Sequence, residues 1–476
     1  MPEEQQQTQV REATSVASLK TAELATLFPP KTGALLPEGT AIRIFSSAKD
    51  MPRENEQMAK ENAKKVLKIT KSKEDINAGY AYLQRLKLFK EMIEGAQDLA
   101  TLRQRTKERR EQVGKVFQEN MAAVFTKQRV LEKTYRELDA FFYEARLNQG
   151  EPVAYVSIVN ASADKNFDEL MNPETGLASR LPHRDNFDMR NLTGLIVAPE
   201  WPGNEARVSK YGELAQQCMA HFFCGFPEVD IKKAHEWFDV GGDLQDLKST
   251  DPVKQHVSVI ANPLRIRRAN RYEGGLGDLF ISPTGIFGGK VYKGDVTKGI
   301  HVAQANKEFK VLLPTPDGSP LEMKWNVRGG QEMKFNKALI PLALYEGIVF
   351  WGVDTLYASS SPEDQGMDQY TVKRCDEYVA KVVLHFLNGR TFIPNEQKAR
   401  DDIRSAINRF LMANTGTGKM LEEGQVMAVE TVTNPDGSLN NQAIDIKIKV
   451  KYKNALRQLN MYLVTSDSQF WKEGKK

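Results

Sequence analysis

The polar and apolar positions of this chain change rhythm twice. Residues 52–146 are rich in Lys, Arg, Glu, Gln and Ala and poor in Gly and Pro, a composition that favours helix. Within them Phe117, Met121, Val124, Gln128, Leu131, Tyr135, Leu138 and Phe142 recur at steps of four and three, a heptad seam with one polar interruption. Such a seam needs a covering helix. Two covers are open: residues 78–96 of the same chain, AGYAYLQRLKLFKEMIEGA, or a helix from a partner. Further upstream Val16, Leu19, Leu24, Leu27 and Phe28 outline one short amphipathic helix, ended by Pro29 and Pro30, that either packs or serves as a docking helix.

At NQGEPVAYVSIVN the rhythm turns to β, and a mixed α/β region follows. TGLIVAPEW and VSVIANPL predict short strands, with ARVSKYGELAQQCMAHFF as a helix between them. Later, EGIVFWGVDTLY predicts a buried strand, and DQYTVKRCDEYVAKVVLHFLNG and PNEQKARDDIRSAINRFLMA predict two helices. In the second of these, Ala399, Ile403, Ala406, Ile407 and Phe410 form an apolar stripe, with Lys398, Asp401, Asp402, Arg404 and Arg409 largely off it. The cleanest strand comes last: Ile444, Ile446, Ile448, Val450 and Tyr452 alternate with Asp445, Lys447, Lys449 and Lys451 behind an NPDGS turn. Its lysine face either blunts an edge or reserves that edge for one chosen strand.

Composition adds bounds. The 476 residues suffice for about two to four domains. A net charge of +4 from 66 basic and 62 acidic residues asks for neither nucleic acid nor an anionic membrane. The first twenty residues lack a secretory pattern, and the longest apolar run, Ala338 to Val353, is short of the ~20 residues of a membrane span and contains Glu346. Three cysteines build no disulfide framework and fit a reducing cytoplasm.

Candidate chemistry is sparse. ANTGTGKM, residues 413–420, imitates a phosphate-binding loop, yet Ala413 stands where the opening glycine belongs and Met420 where the magnesium-binding hydroxyl belongs. Preceded by a helix, the loop reads as a helix C-terminus with Gly416 and Gly418 available for positive φ and Lys419 near the negative end of the dipole. Cys218, His221 and Cys224, taken on one helix, spread over about 240° and do not face one ion. No sequence spacing marks a catalytic acid-base pair or nucleophile, so we expect no enzyme, no cofactor and no metal. Arg103, Arg105, Lys107, Arg109 and Arg110 make residues 102–110 the strongest candidate for nucleic acid, although a solvated helical face is the plainer reading.

Several stretches resemble contractile tail sheath proteins, and specifically the large sheath subunit of type VI secretion systems, the TssC/VipB type. GDLFISPTGIFGGKVYKGDVTKGIHVAQAN is similar to a family segment in which a P-x-G turn leads through a short strand and a charged turn to a closing motif, carried here by Pro283, Gly285, Gly299, Ala305 and Asn306. EGIVFWGVDTL resembles a sheath strand through Gly347, Ile348, Trp351, Gly352, Thr355 and Leu356, and residues 370–424 resemble the family's paired helices with an F-x-P-N link. Val353 and Asp354 depart from the usual pattern, which suggests an atypical, Bacteroidetes-like branch.

The resemblance implies a contractile tail-sheath fold of mixed α/β type, with a helical N-terminal region and a C-terminal strand-exchange (handshake) hairpin. It divides the chain into a polar segment with a docking helix (1–50), a helical region for the small subunit (51–150), an α/β sheath domain (151–276), a sheath core (277–420) and a lacing hairpin (421–476). It implies a non-enzymatic, cytoplasmic bacterial protein that polymerises with a small sheath subunit (TssB-like) around an inner tube protein (Hcp-like). A baseplate would join the sheath to the inner-membrane complex, and an AAA+ ATPase (ClpV-like) would recycle it. Under it, Phe117, Met121, Val124, Leu131, Tyr135, Leu138 and Phe142 would hold the small subunit. Ile444, Ile446, Ile448, Val450 and Tyr452 would lace protomers, while Lys398, Asp401, Asp402, Arg404 and Arg409 would face the tube. Neither nucleic acid nor membrane insertion is implied. The competing readings are a nucleic-acid-binding protein through residues 102–110 and a nucleotide-dependent enzyme through Lys419.

Overall fold

The computed structural model describes residues 42–45, 98–146, 156–159, 167–181, 192–226, 247–261, 263–273, 275–308, 339–344, 348–359, 361, 366–435, 438–455, 463–465 and 471–473. The expected helices over 16–28 and 78–96 lie outside these residues. The chain forms two compact units: the first takes residues 1–181, 264–281 and 311–319, the second 182–263, 282–310 and 320–476.

In the first unit, β1 (Ile42–Phe45) pairs in parallel with β2 (Val156–Val159). Between them runs α1 (Leu99–Ala145), 47 residues and hence about 70 Å long at 1.5 Å per residue. It starts where Asp98 accepts a hydrogen bond from the Thr101 amide at 2.7 Å, an N-cap that satisfies one orphan donor. Two further strands of this unit, Leu264–Arg267 and Leu279–Ile281, form an antiparallel pair, β6 and β7 in chain order.

The second unit is built on a four-stranded parallel sheet in the order β3 (Leu195–Ala198), β4 (His221–Gly225), β5 (Val257–Ile260), β8 (Leu339–Ile340). Here the expected helix over 206–223 is corrected. The helix, α2 (Glu205–Gln217), stops at a Cys218 cap; Met219 takes a left-handed φ of 52°, and His221 onward is a central strand. The run HFFCG is buried on both faces, which suits an inner parallel strand and removes any apolar stripe that would keep it helical. Alternation sends Phe222 and Cys224 toward Val208 and Ala215 of α2. Phe223 points the other way, into an aromatic cluster with Phe287 and Tyr370.

A second correction concerns residues 284–298. The strand and charged turn expected there are a helix, α3 (Thr284–Lys298), and only β7 ahead of it is extended. Its glycines are poor helix formers, but its first eight residues are all buried, so tertiary burial outweighs propensity. Among the glycines of α3, Gly294 packs against Gln304: a Cβ there would lie 2.0 Å from the Gln304 side-chain amide, which would have to move. Likewise, of the strand expected over residues 346–357, residues 346 and 347 lie outside the described residues and the rest keeps only β10 (Ile348–Phe350), antiparallel to β9 (Leu342–Leu344). Beyond it the backbone joins other neighbours: Trp351 N–H donates to Pro341 and Leu356 N–H to Val257.

The C-terminal part follows its sequence pattern closely. Helices α4 (Tyr370–Asn388) and α5 (Gln397–Ala413) pack with a long antiparallel hairpin, β11 (Leu421–Thr433) and β12 (Leu439–Tyr452). Ile403, Ile407 and Leu411 of α5 meet Val426 and Val429 of β11 and the Ile444, Ile446, Ile448, Val450, Tyr452 face of β12. A short pair, β13 (Leu463–Thr465) and β14 (Trp471–Glu473), follows.

Candidate functional site

The hairpin is the first candidate surface. Ile444, Ile446 and Ile448 pair in register with Thr431, Val429 and Val426, so the strand nominated for lacing already has a partner in its own chain. Its outward positions Asp445, Lys447, Lys449 and Lys451 are exposed. Lys451 donates to Glu422 at 2.9 Å and Lys447 lies 3.7 Å from Glu430, so lysines on β12 face acids on β11. Such exposed pairs are screened by solvent and act more on register than on stability. Among the described residues β11 and β12 form a two-stranded sheet; β11 is also bridged at Leu421 by residues 414–416, and no further strand pairs with the outer edge of β12.

The root of the hairpin is tied down. Tyr452 hydroxyl donates to Asp376 at 3.1 Å, and Gln369 exchanges hydrogen bonds with the backbone of Ala455. Asn408 accepts from the Val426 amide at 2.8 Å, pinning α5 to β11. The loop between them, residues 414–420, is a helix ending: Gly416 and Gly418 have φ of 121° and 73°, conformations that side chains resist. The loop runs from a helix into a strand, the reverse of the order a phosphate cradle needs.

The second candidate is α5. Lys398, Asp401, Asp402, Arg404 and Arg409 are all exposed, while Ile403 and Ile407 are buried, as the stripe requires. At about 100° per residue Lys398, Asp402 and Arg409 share one line, with Asp401 and Arg404 further round. The face therefore mixes both signs.

The third is α1. Phe142 is buried and Met121, Leu131, Tyr135 and Leu138 are half-buried, but Phe117 and Val124 are 52% and 56% exposed, so the seam divides. One flank meets the loop between β6 and β7. Tyr272 stacks on Phe125 at 5.8 Å and meets Phe117 edge-on at 6.2 Å. Below it Arg267 grips the buried Glu273 through two hydrogen bonds of 2.9 and 2.7 Å and reaches Glu132 at 2.9 Å, while Arg129 donates to Gly277 at 2.8 Å. Hydrogen bonding from Arg267 holds the Glu273 carboxyl down at about 2. The other flank, Val113, Val116, Val124 and Leu131, lies about 100° round the helix, and its three valines are exposed. Heptad spacing missed this split because Phe125, Arg129 and Glu132 sit beside the seam and their partners are more than a hundred residues away.

The basic residues 103, 105, 107, 109 and 110 are exposed; at about 100° per residue Arg103, Lys107 and Arg110 share one line of α1 while Arg105 and Arg109 lie roughly opposite, so the five do not gather on a single face. Cys218, Cys224 and Cys375 are buried free thiols; burial pushes Cys218 and Cys375 up to about 12 and Cys224 higher still, which makes them poor nucleophiles. His221 bonds Ser258 at 2.9 Å, and burial, with the charges of Arg374, His256 and Lys373, lowers its pKa well below the ordinary value. Among the described residues no three His, Cys, Asp or Glu side chains converge to hold a metal, and no helix is long and apolar enough to cross a membrane.

Two family profiles match in chain order. "Type VI secretion system TssC/VipB, central domain" covers residues 123–321, and "TssC/VipB-like, C-terminal domain" covers residues 369–472. The chain belongs to the TssC/VipB family. Among solved structures, it is similar to a chain of the anti-feeding prophage baseplate, with 18% identity over 69% of this chain and 80% of that one and a TM-score of 0.47. A chain of the anti-feeding prophage sheath in its contracted state gives 17% identity over 69% and 81%, TM-score 0.46. One from the contracted sheath of an extracellular contractile injection system, PVC, gives 15% over 70% and 82%, TM-score 0.44. No curated protein matches significantly.

Proposed function

We propose that the chain is the large subunit of a type VI contractile sheath. It polymerises with a small sheath subunit around an inner tube, is stored stretched on a baseplate, and contracts to drive the tube and its effectors into a target cell. The observation that carries this reading is the ordered match of both family segments to one chain whose β11–β12 hairpin has, among the described residues, no further strand on the outer edge of β12. A strand added to such an edge gains a row of main-chain hydrogen bonds, each about 0.5–1.5 kcal/mol net, and tolerates hinge motion in the linker. Energy for contraction then resides in the difference between two sets of subunit contacts, with no fuel consumed at the switch.

Within this reading Ile444 to Tyr452 are the receiving part of the lace: they anchor the hairpin on α4 and α5, and the outer edge of β12 takes the neighbour's strand. The valine flank of α1 with the half-buried Leu131, Tyr135 and Leu138 holds the small subunit, and the mixed-charge face of α5 meets the tube. A Bacteroidetes-type branch, an AAA+ recycling partner and a cytoplasmic site of assembly complete the proposal. Co-expression with the neighbouring small subunit tests it: a stable complex is expected to co-purify, and a large subunit that elutes alone at every salt concentration contradicts the reading.

A further inference from the structure

The link between α4 and α5 carries a feature that assembly of the hairpin does not use. Phe392 is 100% exposed and has a φ of 69°, a left-handed backbone that a bulky side chain avoids. The turn around it is knit together: Arg390 N–H donates to Leu387, Thr391 Oγ1 to Asn388 at 3.1 Å, Glu396 N–H to Pro394, and the Arg400 guanidinium to Asn395 Oδ1 at 2.6 Å. Both the exposure and the backbone are costly, and the fold holds them in place.

Beside this ring lies a groove of about 270 Å³, with Phe392 itself on its rim. Its walls include Leu387 from α4, Ile403 from α5, and Ala443, Ile444 and Ile446 from β12. Arg390, Asn395, Arg400 and Gln442 add polar groups to the lining; by volume alone the groove has room for a phenyl ring, since an apolar cavity of about 150 Å³ accepts benzene. We propose that Phe392 is a lid: its ring turns from solvent into this groove as its backbone relaxes to negative φ, closing the space beneath Ile444 and Ile446. The occupant is argued from tether and strain together. The ring is already at the rim, turning inward removes apolar surface from water, and the same rotation relieves the left-handed backbone. The link then has two states, ring out and ring in, and the packing of β12 on the two helices differs between them. This inference stands on the groove and the link alone and does not depend on the sheath reading.

Fluorine NMR tests it in the full-length chain with the ring kept: 4-fluorophenylalanine is placed at position 392 alone, and its relaxation by a soluble paramagnetic agent is compared with that of free 4-fluorophenylalanine. The lid predicts protection of at least about twofold, and its loss when Ala443→Phe or Ala399→Leu fills the groove. A ring relaxed as strongly as the free amino acid, or protection unaffected by filling, overturns the proposal. So does protection that rises with protein concentration, which would make a second copy the occupant. Two filling variants are used so that a folding defect in one leaves the comparison intact.

Discussion

Replacing Asp295 by Ala isolates the contact that joins α3 to α4. Arg374 of α4 is only 6% exposed, and its guanidinium makes a forked contact with the Asp295 carboxylate, one arm of which measures 3.1 Å. Burial works against the charge on Arg374, yet Asp295 outweighs it and raises the guanidinium pKa. Removing the carboxylate leaves a buried cation without its partner, a change that costs about 3–5 kcal/mol. Asp295 is 24% exposed, so water reaches the vacated site and the lower end, about 3 kcal/mol, applies. For a unit of this size that corresponds to a fall in Tm of about 6–12 °C. Urea denaturation followed by tryptophan fluorescence measures it. The paired variant Asp295→Leu with Arg374→Met removes both charges and is expected to lose less than Asp295→Ala alone. An Asp295→Ala loss under about 1 kcal/mol, or a paired variant whose losses simply add, refutes the account of this contact.

Three further outcomes are expected. Val113→Asp with Val116→Asp on the exposed flank of α1 leaves the stability of the free chain within about 0.5 kcal/mol of wild type but abolishes co-purification of the small subunit; undiminished co-purification removes that flank from the interface. Glu273, whose pKa is held near 2 mainly by Arg267, contributes stability that is present above the unfolded carboxylate value and is lost as pH falls through about 2. Hydrogen exchange in residues 264–281 is therefore expected to accelerate as pH is lowered from about 4.5 to 2, after correction for intrinsic rates, and Glu273→Gln is expected to remove most of that dependence. Deleting residues 456–476 spares the hairpin and leaves the small-subunit complex intact while preventing tubules; deleting from Ile444 instead strips the apolar cover from Ile403, Ile407 and Leu411 and destabilises the C-terminal helices.

What could be read from the sequence depended on how local the cause was. The α5 stripe and the β12 alternation are repeated signals with one wet face each, and both elements form where the periods place them. The ending of α2 at Cys218 turns on Met219 in a left-handed conformation and on a strand buried on both faces, which has no period to distinguish it from a buried helix. In α3 the glycines read as turn or strand until the packing of Gly294 against Gln304 is known. The same holds for the candidate surfaces. Heptad spacing found the α1 seam but not its division, because Tyr272 and Arg267 reach it from residues far along the chain. The pairing of β12 with β11 was half visible: NPDGS announced the turn, and only the register reveals that the nominated lacing strand is held within its own hairpin.

Electron microscopy of the chain co-expressed with its small subunit tests the central claim most directly. The account predicts hollow helical tubules that require both proteins and disappear when residues 456–476 are removed. A well-folded, co-purifying complex that remains discrete particles, with no tubules under any condition that supports the wild-type fold, contradicts it.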